Sequence, residues 1–232
     1  MEPMVLKTGT TTIGVICKDG VVLGADKRAT AGNFIVDSNT KKVQKITDTI
    51  ALTTAGSVSD IQLMIKLIRA QLKLKELRVL KRSSVAEAVG LLSGMVYGNI
   101  RRMSMLPGVT QYVVGGVDDD GVHLFDIFPD GSLTRYTDYV TSGSGSVFAL
   151  GVLDTLYNKE MTVEEGVELV KKSIKAAIRR DNASGDGITI MKITKDGSVE
   201  YSEENVKATM EASKELFEDD SKGGLSKKPK KK

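Results

Sequence analysis

Residues 8–30 read TGTTTIGVICKDGVVLGADKRAT, two apolar runs joined by an Asp-Gly pair. An Asp-Gly pair between apolar runs is the typical signal of a tight β-hairpin. We take Asp19-Gly20 as the turn, so that the numbers of paired residues sum to about 39. This register places Thr10 opposite Ala29 and near Thr30.

The hairpin signal recurs along the chain, and helical patterns separate the predicted strands. Asp-Gly pairs lie at 120–121, 130–131 and 196–197, and short strands are expected near 33–36, 42–46 and 49–54. Apolar residues at helical spacing predict helices over 58–80, 84–103, 146–157 and 162–178, with a further one over 203–218. Two of these helices open with the spacing of a capping box, Ser84 with Glu87 and Thr162 with Glu165.

The order of strands and helix pairs predicts the architecture. Each sheet must bury one face on a helix pair, and the two sheets can then pack on each other. We therefore predict an α+β protein, a four-layer α-β-β-α sandwich of two antiparallel sheets forming one domain. The helix over 58–80 has one apolar stripe to cover a sheet, formed by Ile61, Met64, Ile65, Ile68 and Leu72. A second, nearly opposite stripe needs another helix or another subunit, and consists of Leu63, Leu67, Ala70, Leu74 and Leu77.

Composition narrows the possible functions. The 232 residues include one cysteine, Cys17, and one histidine, His123. These counts exclude a disulfide framework and a multi-cysteine zinc site, and they leave one candidate for any mechanism that needs histidine. We expect structural roles for both residues, with no metal and no cofactor. No stretch reaches the roughly 18 unbroken apolar residues of a membrane span, and residues 1–9 lack a signal-peptide core, so we expect a cytoplasmic protein.

The C-terminal residues 222–232, KGGLSKKPKKK, hold six of the 33 basic residues and no acid. Such a sequence cannot bury a core, and we expect a disordered tail. The tail could attract nucleic acid or a partner weakly, or it could be only a solvated end. All 30 acidic residues lie elsewhere, so the rest of the chain is slightly acidic. This charge argues against nucleic acid as the main ligand.

The three threonines at 10–12 admit two interpretations. β-branched residues are common in strands, which alone explains them. Alternatively, a threonine freed at a chain N-terminus carries its own base, since an α-amino group has a pKa of about 7.7–8.0. Gly9 would then leave a flexible and sterically accessible peptide bond before Thr10 for self-cleavage. A lysine beside the hydroxyl of Thr10 would lower its pKa, and Lys42 and Asp26 lie on neighbouring predicted strands, although both could be ordinary strand-end charges.

Two loops rich in small polar residues follow later in the chain. SGSGS at 142–146 precedes a helix and lacks the lysine of a phosphate-binding loop, so a helix-capping turn explains it. RRDNASGDG at 179–187 follows a helix and can be a C-cap with its loop. Neither loop is diagnostic by itself.

Taken together, these segments resemble a proteasome β subunit of archaeal type, a member of the N-terminal-nucleophile (Ntn) hydrolases. The shared segments are TGTTTIGV, ADKRAT, the Lys-Lys before a strand, TTAGSVSD, TSGSGSVFALGVLD, MTVEEGV and RRDNASGDGI. Their order and spacing between about residue 8 and residue 205 make the resemblance specific. The fold of that family agrees with the sandwich predicted above.

The resemblance implies how the chain is divided and which residues act. Residues 1–9 would be a propeptide, removed by self-cleavage of the bond between Gly9 and Thr10, and Thr10 would be the nucleophile. The hydrolase domain would span 10–205, followed by a helix over 206–221 and the tail. A charge pair beside the nucleophile and a cluster that orients its amine would be formed by Asp26, Lys42, Ser144, Asp181 and Ser184.

The resemblance also implies how substrate is bound. The Gly56 N–H would stabilise the oxyanion. The peptide would lie as an added β-strand on the backbone of Thr30, Gly56 and Val58. The pocket for the side chain before the cut would be lined by Ala29, Gln44, Thr54 and Val58.

The implied function is ATP-independent hydrolysis of unfolded polypeptides inside a proteasome core. Proteasome α subunits and other β subunits would form stacked seven-membered rings, with the β rings enclosed by α rings. A separate regulatory ATPase would act through the α ring, and no nucleic acid or membrane is expected as a partner. A simpler two-ring protease of bacterial type and a structural β subunit without activity are the alternatives.

Overall fold

The computed structural model describes residues 9–104 and 108–204, which form two five-stranded antiparallel sheets, a two-stranded ribbon and four α-helices. The strands are β1 (Thr12–Cys17), β2 (Gly20–Asp26), β3 (Ala29–Ala31), β4 (Phe34–Asp37), β5 (Val43–Lys45), β6 (Ile50–Gly56), β7 (Thr110–Asp118), β8 (Gly121–Ile127), β9 (Leu133–Tyr136), β10 (Tyr139–Ser142), β11 (Gly187–Thr194) and β12 (Gly197–Glu204). The helices are α1 (Val58–Val79), α2 (Val85–Ile100), α3 (Ser146–Leu156) and α4 (Val163–Ile178). Across these described ranges, no helix has the length and apolar character needed to cross a bilayer.

The elements stack in four layers. The first sheet has the order β10-β1-β2-β11-β12 and is covered on one face by α3 and α4. The second has the order β5-β6-β7-β8-β9 and is covered by α1 and α2. The other faces of the two sheets pack on each other through a buried apolar cluster that includes Val21, Leu23, Val113, Leu124, Met191 and Ile193. The predicted α+β sandwich is therefore confirmed.

The register of the first hairpin differs from the prediction. Cys17 pairs with Gly20, so the numbers of paired residues sum to 37, and the pairing of Thr10 with Ala29 is wrong. The two residues before the glycine form the turn, and the glycine begins the returning strand. The hairpins at Gly121 and Gly197 behave in the same way, with φ angles of +122° and +125° at these glycines. A type I turn favours glycine at its fourth position, which explains the shift.

The helices follow their sequence signals closely. The capping boxes at Ser84 and Thr162 are both formed. On α1 the first apolar stripe is buried against the second sheet. The second stripe is exposed, with 39% of Leu67 and 62% of Leu77 accessible to solvent.

Several predicted elements differ from those of the structure. Helix α2 ends at Ile100, before the expected 103, and the strand predicted near 33–36 belongs to the separate β3–β4 ribbon. The helix predicted over 203–218 is wrong at its first two residues, which belong to β12. Several predicted segments lie outside the described residues: the rest of the helix over 203–218, the propeptide up to residue 8, the helix over 206–221 and the tail.

Candidate active site

Thr10, Asp26 and Lys42 meet at one end of the sandwich. Thr10 lies two residues before β1, Asp26 ends β2, and Lys42 lies one residue before β5. The Lys42 ammonium nitrogen, Nζ, donates to Thr10 Oγ1 at 3.1 Å and to Asp26 Oδ1 at 2.8 Å. All three residues are buried, and Asp26 is fully so. The hydroxyl therefore lies beside a cation that is shielded from solvent.

The Asp26 carboxylate is surrounded by donors. Oδ1 accepts from Lys42 Nζ and from the Thr11 N–H at 2.9 Å. Oδ2 accepts from the Arg28 N–H at 3.1 Å and the Gly185 N–H at 3.0 Å. A buried carboxylate needs such donors, because an unpaired charge in the interior is very costly. Asp26 thus ties together the strand of Thr10, the Lys42 side chain and the loop before β11.

Burial lowers the pKa of Lys42, while the neighbouring Asp26 carboxylate acts in the opposite direction. Desolvation disfavours the charged form of a lysine. Lys42 therefore gives up a proton more readily than an exposed lysine does, and it still lies within hydrogen-bond distance of Thr10 Oγ1. A group of this kind can both stabilise negative charge on the hydroxyl oxygen and exchange a proton with it.

A second set of polar groups lies around the nitrogen of Thr10. The Thr10 N–H donates to Ser144 Oγ at 3.2 Å, and Ser144 Oγ donates to Asp181 Oδ2 at 2.6 Å. Ser184 Oγ also donates to Asp181 Oδ2, at 2.7 Å, and lies 2.7 Å from Thr11 Oγ1. The structure thus brings the three residues predicted to orient the amine into one hydrogen-bonded chain.

Gly9 is fixed by two hydrogen bonds and by close packing against Ala183. Its N–H donates to Thr30 Oγ1 at 3.0 Å, and its carbonyl oxygen accepts from Thr10 Oγ1 at 2.5 Å. A Cβ on residue 9 would lie 1.8 Å from Ala183 Cβ, far inside any permitted contact. Only glycine fits at this position. The Thr10 hydroxyl oxygen is consequently held next to the carbonyl group of the preceding residue.

A cavity of about 400 Å³ opens beside Thr10 and Lys42. Its walls contain every residue predicted to bind substrate: Ala29, Thr30, Gln44, Thr54, Gly56 and Val58. Gly56 has a φ of +115°, and a Cβ there would lie 2.2 Å from the Val109 carbonyl oxygen. Glycine is thus required at the turn where β6 meets α1. A cleft of about 460 Å³ between α1 and the β5–β6 turn contains none of the predicted site residues.

His123 and Cys17 lie outside this cavity. His123 Nε2 lies 2.9 Å from Asp118 Oδ1 on the second sheet. Cys17 is buried, and burial raises the pKa of its thiol to about 12, which keeps it protonated and unreactive. Among the described residues, no three side chains of His, Cys, Asp or Glu gather as metal ligands would.

Some contacts of the site could not be read from the sequence. Thr11 joins the hydrogen-bonded chain of Asp181 through its hydroxyl, although it was only one of three adjacent threonines. Arg28 follows Asp26 closely and interacts with the loop that carries Asp181 and Ser184. The only sequence signal for either residue was its proximity to a residue already singled out.

Comparisons with known proteins identify the family of the chain. The chain matches the family model described as "Proteasome subunit" over residues 6–193. It is 46% identical over 198 residues to "Proteasome subunit beta" of Archaeoglobus profundus, covering 85% of this chain and 90% of the relative. It is 43% identical over 203 residues to the protein of the same name from Ferroglobus placidus, covering 88% and 95%. For that of Methanocaldococcus jannaschii the identity is 39% over 207 residues, covering 89% and 91%.

Proposed function

This chain belongs to the proteasome subunit family as a β subunit, and from that premise we propose that it is a threonine protease whose nucleophile is Thr10. One observation carries the proposal. Thr10 Oγ1 receives a hydrogen bond from Lys42 Nζ at 3.1 Å and itself donates to the Gly9 carbonyl oxygen at 2.5 Å. The nucleophile, the cation that activates it and the bond to be cut are therefore adjacent.

The first reaction removes residues 1–9. Thr10 Oγ1 attacks the Gly9 carbonyl carbon, forming an ester as the bond from that carbon to the Thr10 nitrogen breaks. The proton lost by the hydroxyl ends on this nitrogen, with a water molecule or Lys42 as the carrier. Water then hydrolyses the ester, which releases the segment with a free carboxylate at Gly9 and leaves Thr10 as the N-terminus.

The second reaction is turnover. The freed α-amine has an ordinary pKa of about 7.7–8.0, so it can take the hydroxyl proton near neutral pH. Ser144 Oγ contacts the Thr10 nitrogen and donates to Asp181, and together these two residues keep the amine oriented. The Gly56 N–H stabilises the oxyanion, an acyl-enzyme ester forms on Thr10, and water releases it.

Substrate binding uses the cavity beside Thr10. An extended peptide pairs as an added strand with the backbone of Thr30, Gly56 and Val58, all of which line the cavity. Ala29, Gln44, Thr54 and Val58 line the pocket for the side chain before the cut. Unfolded chains are the substrates, because a folded protein cannot offer a free strand to this surface.

Two variants of the nucleophile test the proposal. Thr10→Ala removes the hydroxyl, so the assembled particle should retain residues 1–9 and show no measurable peptidase activity. Thr10→Ser keeps a hydroxyl but loses the methyl group that restricts its rotamer, so it should process and retain part of the activity. Intact mass and peptide hydrolysis are measured on the same particles. A Thr10→Ala particle that cleaves peptides refutes the mechanism and favours a different nucleophile.

We further propose that the exposed stripe of α1 is covered by a neighbouring subunit in stacked seven-membered rings of α and β subunits, served by a separate ATPase. Leu67 and Leu74 are 39% and 48% exposed, a large apolar area for a helix that faces only water. Leu67→Lys with Leu74→Lys should give smaller particles on gel filtration, with unchanged circular dichroism. Lys66→Ala on the same helix is the control. Unchanged ring assembly in the double lysine variant contradicts this assignment.

A further inference from the structure

Arg28 fastens the loop between α4 and β11 through three side-chain hydrogen bonds. Its Nε and Nη2 atoms donate to the two carboxylate oxygens of Asp186, at 2.7 and 2.9 Å. Its Nη1 atom donates to the Asn182 carbonyl oxygen at 2.9 Å. This planar, bidentate arrangement is one that a lysine cannot reproduce.

The loop is shaped to receive the guanidinium group. A Cβ on Gly185 would lie 2.4 Å from Arg28 Cζ, so the guanidinium lies directly against the Gly185 backbone. Asp186 has a φ of +65°, a left-handed conformation that costs energy for a residue with a side chain. The ion pair stabilises this conformation, and each partner shifts the pKa of the other toward the charged state.

The fastened loop carries two of the residues that surround Thr10. Asp181 accepts from Ser144 and Ser184, and the Gly185 N–H donates to Asp26 Oδ2 at 3.0 Å. The same carboxylate oxygen accepts from the backbone N–H of Arg28 at 3.1 Å. Arg28 therefore connects to the site twice, by its backbone at Asp26 and by its side chain across the loop.

We propose that Arg28 and Asp186 form a positioning pair, which holds the loop of Asp181 and Ser184 against Asp26 and so sets the orientation of the Thr10 amine. This role rests on the proposed function of Thr10. Arg28 does not line the substrate cavity, so it acts through the loop and not on the peptide. Loosening the loop should therefore lower kcat and leave KM nearly unchanged.

An ordinary ion pair at a surface would contribute little to activity or stability. The Arg28–Asp186 pair differs because both side chains are largely covered, at 19% and 23% exposure, and because Arg28 also bonds a carbonyl of the same loop. Displacement of a catalytic group by about 1 Å can cost on the order of 100-fold in rate. The pair can thus control turnover without touching substrate.

The experiment compares assembled particles of wild type, Arg28→Met, Arg28→Lys, Asp186→Asn and the Arg28→Met/Asp186→Asn double variant. Asparagine tolerates a positive φ, so Asp186→Asn removes the charge with little backbone strain. The matched control is Arg101→Met, because Arg101 also donates to a backbone carbonyl, that of Asp130, but lies outside this loop. The readouts are kcat, KM and hydrogen exchange of the Gly185 amide.

For Arg28→Met and Asp186→Asn we expect a fall in kcat of about 10- to 100-fold with KM within about twofold. Exchange of the Gly185 amide should accelerate by at least about 10-fold. The double variant should lose no more than the larger single loss, since the two residues act as one unit. The kcat of Arg28→Lys should lie between those of wild type and Arg28→Met. The kcat of Arg101→Met should equal that of wild type.

Unchanged exchange at Gly185 in Arg28→Met, or a kcat within about twofold of wild type, overturns the proposal, as do additive losses in the double variant. If Arg28→Met does not assemble, the same measurements on Asp186→Asn particles decide whether the proposal holds. Peptidase activity that survives in Thr10→Ala particles refutes the proposed nucleophile instead, and the exchange measurement still decides whether the pair holds the loop.

Discussion

Asp26 and Asp126 are buried aspartates on different sheets, with 0% and 2% of their surfaces exposed. Asp26 accepts from Lys42 and from three backbone N–H groups. Asp126 accepts from the side-chain nitrogen of Gln111, 3.2 Å from both of its oxygens. Burial raises the pKa of Asp126 to about 6, and the hydrogen bonds oppose this only in part. Two equally buried carboxylates therefore have different hydrogen-bond partners: a lysine and three backbone N–H groups for Asp26, and one glutamine side chain for Asp126.

The difference bears on how a buried carboxylate is taken to mark a site. A strongly shifted pKa is often taken as a sign of function. Here the residue with the raised pKa, Asp126, lies outside the Thr10 cavity, whereas Asp26 contacts the lysine beside the nucleophile. Under the function proposed above, convergence of a cation and several backbone donors on one carboxylate is the better indicator in this molecule.

Removing the cation beside Asp26 should have the largest effect. Lys42→Ala should reduce peptidase activity by at least about 100-fold, the scale seen when one stabilising donor is lost from an active site. Lys42→Arg should also fail, because a planar guanidinium does not replace a compact ammonium group. Peptide hydrolysis by assembled particles is the measurement.

The matched control for this prediction is Lys192→Ala. Lys192 lies 3.1 Å from Glu164 in a far more exposed ion pair, with 23% and 66% of the two side chains accessible. Its loss should leave activity unchanged. Near-normal turnover in either Lys42 variant means that the buried pair is structural.

A change of shape that leaves every charge in place separates geometry from electrostatics. Gly9→Ala introduces a methyl group where Ala183 Cβ would be 1.8 Å away, so the carbonyl of residue 9 must move from Thr10 Oγ1. Loss of residues 1–9 should slow by at least about 10-fold. The double variant with Ala183→Gly should regain part of the rate. Processing at the wild-type rate in Gly9→Ala contradicts the fit described above; intact mass over time gives both rates.

Asp126→Asn should have the smallest effect on peptidase activity, because it should alter stability alone. The folded protein holds a proton on Asp126 up to a pKa of about 6, against an ordinary value of 3.8. The raised pKa therefore contributes to the stability of wild type fully below about pH 4, and this contribution is lost as the pH rises through about 6. At pH 7.5 the variant should be more stable by up to about 3 kcal/mol, and at pH 4 the advantage should vanish. Thermal melting at both pH values measures this, and a pH-independent difference contradicts it.

Much of the fold follows from local sequence signals. The capping boxes at Ser84 and Thr162 mark helix starts because a side chain must satisfy free N–H groups there. The buried stripe of α1 follows from helical periodicity. The hairpin register was missed by two, because an Asp-Gly pair does not say whether glycine lies inside the turn or begins the next strand.

The site was less accessible to such reasoning. Thr10, Asp26 and Lys42 could be grouped because short connections join their strands. Asp181 and Ser184 lie far away in sequence, and only the resemblance to a family connected them with Thr10. Arg28 and Asp186 are 158 positions apart, and their contact depends on the left-handed backbone conformation of Asp186, which no local sequence pattern predicted.

The most direct test of the central claim is the intact mass of the wild-type chain in particles that hydrolyse peptides. If Thr10 is the nucleophile and its own amine is the base, every active chain must begin at Thr10, and its mass must lack residues 1–9. The same measurement on Thr10→Ala should return the full-length chain. Active particles whose chains all retain Met1 would contradict the account, because Thr10 would then have no free amine.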